Sequence, residues 1–98
     1  MTINLTLTVN EALVETDYFV AAFIDHVISG MVEALENTGK IKDLQLSLEG
    51  NMVSINLNGS DVPINAFVSR IIKSTIIGMV STLKGVNQVQ KLSIKITK

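Results

Sequence analysis

Ile28-Ser-Gly-Met-Val-Glu-Ala-Leu35 and Ile76-Ile-Gly-Met-Val-Ser-Thr-Leu83 put Gly-Met-Val in the middle of a helical pattern twice, 48 residues apart. Sliding the chain against itself by that interval extends the match in both directions. Asn10 meets Asn58, Val14 meets Val62, Phe19-Val20 meets Phe67-Val68, Ile24 meets Ile72, and Leu44 meets Leu92. Eleven identities fall in the 47 positions from Asn4 to Gly50. They reach into strands and loops as well as helices, so the chain reads as a tandem duplication, pseudo-repeats 2–50 and 51–98 within one domain.

Each half has the same internal order of strand, helix and strand. In the first, Ile3, Leu5, Leu7 and Val9 alternate with Thr and Asn, a helical pattern covers Asp17–Asn37, and Leu44, Leu46 and Leu48 alternate with polar residues. In the second, Val53, Ile55 and Leu57 precede a helix over Pro63–Lys84, and Leu92, Ile94 and Ile96 close the pattern. Pro63 suits a first helical turn, where an amide hydrogen has no partner to lose; Gly39 and Gly85 suit the left-handed position after a helix. Gly50-Asn51 predicts a two-residue hairpin between the second and third strands.

Each helix must then join two parallel strands, and a gap of one strand inside each crossover yields an antiparallel sheet. The expected fold class is α+β, a ferredoxin-like βαββαβ two-layer sandwich of strand order 4-1-3-2. The segment Leu83-Lys-Gly-Val-Asn-Gln-Val-Gln-Lys-Leu-Ser-Ile-Lys-Ile96 resembles the helix, Gly-Val and strand ending of small regulatory and metal-handling domains of that superfold. The resemblance is one of architecture and singles out no family.

Composition narrows the function classes. Eight basic against nine acidic residues leave a formal charge of −1, too little field to recruit phosphate backbones or anionic lipid. Neither nucleic acid nor membrane is expected as a partner. There is no Cys, which removes disulfides, thiolate nucleophiles and cysteine metal ligands together. The alternating N-terminus reads as a strand and not a signal peptide, so a cytoplasmic location is expected. Asp25 and His26 interrupt one apolar run, and Arg70 and Lys73 the other, against a membrane span.

Alternation turns one sheet face toward the helices and leaves the other to Thr, Asn, Ser, Gln and a few charges, without the exposed aromatics on which an RNA-binding sheet stacks bases. His26 is the only His; with Asp25, Ser29 and Glu33 it lies on one helix, whereas a catalytic triad or metal site draws groups from several elements onto one point. No catalytic residue, metal ligand or cofactor is therefore assigned.

The helices carry the assembly reading. Apolar residues span an arc of roughly 220° on the first helix and a similar one on the second, about twice what one sheet face covers. The remaining charge differs in sign: Asp25, Glu33 and Glu36 on the first helix, Arg70, Lys73 and Lys84 on the second, with Ile77 among the latter. A dimer laying the first helix on the second of another chain would meet acid with base twice. Asp43 and Glu49 on one expected edge strand and Lys91 and Lys95 on the other offer a second route, edge to edge. Gly30 and Gly78, on equivalent helix flanks, are expected at a close helix–helix approach. The function expected is a non-enzymatic interaction or assembly domain, a homo-oligomer or the binder of another protein. The alternative is a small-ligand sensor or cofactorless enzyme, whose signature would be polar residues pointing into the core.

Overall fold

A computed structural model describes residues 4–35, 41–50, 52–83 and 88–97. Its elements run β1 (Asn4–Val9), β2 (Ala12–Val14), α1 (Tyr18–Leu35), β3 (Asp43–Glu49), β4 (Met52–Leu57), β5 (Ser60–Asp61), α2 (Ala66–Val80) and β6 (Lys91–Thr97). Both helices and the four longer strands fall where the hydrophobic pattern puts them. The hairpin after β3 also holds, with Glu49 opposite Met52 and Gly50 left-handed at φ 61.

The strand order does not hold. All pairings are antiparallel in one six-stranded sheet ordered β2-β1-β6-β3-β4-β5, which corrects the expected ferredoxin-like order 4-1-3-2 and the sandwich built on it. The second strand of each half, β3 and β6, is central, and the first, β1 and β4, lies outside. The cause is local. Asn10 and Glu11 have φ 50 and 69, Asn58 and Gly59 have φ 51 and 87, and each pair forms a two-residue turn that folds the chain back as β2 or β5. A strand that carries such a hairpin has one side occupied by it. Had β1 and β4 been central, both their sides would be taken by longer strands and neither hairpin could form.

The duplication is realised as a pseudo-two-fold. Leu46 pairs with its repeat mate Ile94, and the other pairings among the four longer strands recur 48 residues on, Val9 with Leu92 matching Leu57 with Leu44. The axis passes through the Leu46–Ile94 pair. Asp43, Glu49, Lys91 and Lys95 thus stand on the two central strands, not at edges, and Glu49 faces Lys91 across the ladder. All four charges therefore lie within the chain's own ladders, so the expected edge-to-edge route is lost.

The helix starts repeat too. Asp17 Oδ1 accepts the Val20 amide at 2.8 Å and Asn65 Oδ1 accepts the Val68 amide at 2.8 Å, both as N-caps. Pro63 stands two residues before Asn65 and outside the helix, because the Asn cap sets the start. Gly39 and Gly85 lie outside the described residues, as do Glu36 and Lys84.

Leu7, Leu44, Leu46, Ile55, Ile94 and Ile96 share one sheet face and join Ile24, Ile28 and Val32 of α1 and Ile72, Ile76 and Val80 of α2 in one core. By length and composition α1 is apolar enough to cross a membrane, with mean hydropathy 1.4 over 18 residues. Ile24, Ile28 and Val32 are nonetheless buried in that core, from which a spanning helix would have to be pulled away.

Candidate functional site

Burial by the core uses only a stripe of each helix and leaves the rest of the apolar arc outside. On α1 the exposed series is Phe19, Phe23, His26, Gly30 and Glu33, at alternating spacings of four and three that keep them on one face. On α2 the equivalent series is Phe67, Ile71, Ser74, Gly78 and Ser81, with Arg70 beside it. Phe19 is 71% exposed, Phe67 60%, Phe23 49% and Ile71 46%. Phe19 and Phe23 lean together with ring centroids 6.0 Å apart. Four large apolar side chains at two-fold-related positions are thus presented to solvent, the kind of patch that marks an interaction site or favours association.

Between the helices runs a groove of about 490 Å³. Phe19, Val20, Phe23 and Ile24 line one wall, and Ser74, Thr75, Gly78, Met79, Thr82 and Leu83 the other. The start of α1 therefore lies beside the end of α2, and the helices run antiparallel. The groove has hydroxyls but no charged group, so it suits apolar side chains better than an ionic ligand. A second groove, about 250 Å³, opens on the polar sheet face between Thr8, Ser47, Ser93, Glu11, Glu49 and Lys91. Lys91 Nζ donates to Glu11 Oε1 at 3.4 Å. Among the described residues no three His, Asp or Glu side chains converge.

The residues expected at an interface separate into groups. Glu33 and Arg70 are exposed. Asp25 is not: it is 4% exposed, turned toward the core, and accepts a hydrogen bond from Ser29 Oγ at 3.2 Å. One buried carboxylate is thus the inward polar group that strand alternation did not reveal, since it sits on a helix position one step past Ile24. It lines neither groove. Lys73, its repeat mate, is half-buried, and Ile77 packs partly against the core instead of facing out.

Gly30 and Gly78 correct another expectation. Both are exposed, and a Cβ added to either would meet nothing within 4 Å, so no second helix backbone presses on them within the chain. Gly78 instead forms part of the groove wall. The buried stripes of the two helices, Ile24, Ile28 and Val32 and Ile72, Ile76 and Val80, go to the core, and the glycines lie on the side left outside it.

Fold and surface together define a duplicated α+β protein with an apolar helical face. No protein-family model, no curated protein and no solved structure matches the chain.

Proposed function

We propose that this chain is a non-enzymatic interaction or assembly domain whose outward helical face docks against protein. The observation that carries the reading is the exposed quartet Phe19, Phe23, Phe67 and Ile71, doubled by the repeat and flanked by the uncharged groove. Exposed aromatic clusters of this kind with a charged rim mark docking surfaces, because their burial supplies most of the binding energy while the rim sets orientation. Glu33 and Arg70 supply that rim here.

A photo-crosslinking benzophenone amino acid at position 23, illuminated in intact cells, tests the reading. Adducts with protein are expected. Adducts with lipid alone, or none, would overturn it. Small-ligand binding is the competing reading, favoured by the size of the groove. A thermal-shift screen of apolar small molecules decides that case, since a ligand at 100 times its dissociation constant adds about 2.7 kcal/mol.

A further inference from the structure

We infer that the partner on the helical face is a second copy of this chain, stacked helices on helices about a two-fold axis parallel to α1 and α2. The inference rests on the docking reading above and adds the occupant and its register. Three observations bear on it: the two-fold symmetry of the exposed face, the placement of its charges, and its extent.

The outward stripes are polarised. Each has two large apolar residues near its N-terminal end, Phe19 and Phe23 or Phe67 and Ile71, and a bare backbone near its C-terminal end, Gly30 or Gly78. Because the helices are antiparallel, the bulky end of one lies beside the open end of the other, as the groove between Phe23 and Gly78 shows. A two-fold parallel to the helices preserves position along them and exchanges left for right. It therefore lays α1 of one copy over α2 of the other, Phe23 above Gly78 and Ile71 above Gly30. Knobs meet holes four times, since each contact recurs by symmetry.

The same operation decides the charges. The antiparallel register of the groove, continued at about 1.5 Å per residue, brings Glu33 to within about one turn of Arg70 along the axis. Both lie on the exposed side of their helices, and neither has an ion-pair partner among the described residues. In the stacked pair, Glu33 of each copy then faces Arg70 of the other, twice. Stacking about the perpendicular axis lays α1 on α1 and α2 on α2; Glu33 would then face the Phe19 end and Arg70 the Gly78 end, with no charge matched. Charge complementarity thus selects one of the two symmetric arrangements. With Asp25 buried, Glu33 and Arg70 are the described acid and base left to perform it. The surface is also large enough: a body 34 × 34 × 18 Å has a broad face on the order of 1,000 Å², against the ~800 Å² per partner that a stable interface buries.

Sedimentation equilibrium of the full chain tests this, with four variants. The wild type is expected to sediment as a dimer at micromolar concentration. Glu33→Arg and Arg70→Glu should each weaken dimerisation at least tenfold, and the double reversal should recover to within threefold of wild type. Gly78→Val should also weaken it at least tenfold, while its far-UV circular dichroism stays native because a side chain there meets nothing in the single chain. A monomer at all concentrations, or a dimer indifferent to Gly78→Val, would overturn the inference, as would charge reversals that do not rescue each other. A monomeric chain that still crosslinks another protein through position 23 would refute the second copy and leave the docking reading standing; lipid adducts alone would refute both.

Discussion

Asn10 and Asn58 are identical because both perform the same three tasks. Each adopts a left-handed backbone at the first position of a tight turn, which Asn tolerates better than most residues. Each side chain then reaches across to the other half. Asn58 Oδ1 accepts the Lys42 and Asp43 amides at 2.8 and 2.9 Å, and Asn10 Oδ1 accepts the Gln90 and Lys91 amides at 2.8 and 2.9 Å. Each backbone amide also donates across, Asn58 to the Asp43 carbonyl at 2.7 Å and Asn10 to the Lys91 carbonyl at 2.8 Å. Replacing Asn58 by Ala loses both side-chain bonds and strains the turn, and should cost about 2–3 kcal/mol in urea denaturation. Asn58→Gly keeps the turn and should cost about 1 kcal/mol less. Glu11 occupies the left-handed position that Gly59 fills in the second half. Relief of that strain outweighs the exposed Glu11–Lys91 pair, so Glu11→Gly should stabilise the fold by about 1 kcal/mol, read as a higher urea midpoint.

At the scale of elements, both helices are amphipathic toward the sheet and apolar beyond it. Hydrophobic periodicity located them to within a few residues, and the excess width of their apolar arcs pointed to surface left uncovered. What periodicity did not resolve is which side of a wide arc faces inward. Asp25 follows Ile24 into the buried side, while Phe19 and Phe23 turn out. The glycines belong to the outward side, where they weaken the helix with no compensation inside the chain. Gly30→Ala and Gly78→Ala, each made in a monomeric Phe23→Glu background, should therefore raise stability by about 1 kcal/mol, a rise in Tm of about 4–8 °C for a domain of this size. No rise in Tm would mean that the backbone there is already constrained.

For the whole molecule, the dimer we infer links stability to concentration. Only the folded chain presents the paired face, so mass action stabilises it, and Tm should rise with protein concentration in differential scanning calorimetry. In the Phe23→Glu variant Tm should be independent of concentration. A wild-type Tm that does not move would speak against a folded dimer in the range tested.

The tandem repeat, the six longer elements, the β3–β4 hairpin and the polar sheet face were all legible in the residues, because periodicity and turn chemistry are local. Asn-Gly at 58–59 is a strong hairpin signal, whereas its turn-mate Asn10-Glu11 has no Gly to announce it. Those two turns place β2 and β5 on the outer sides of β1 and β4, and so bring β3 and β6 to the centre. A gap of one strand in each crossover is satisfied equally by both symmetric orders, so nothing in the crossover pattern chooses between them. The choice falls to occupancy of strand edges, a tertiary property. It moves Asp43, Glu49, Lys91 and Lys95 from expected edges to the middle of the sheet and leaves the helical face with a cluster of apolar groups still to bury.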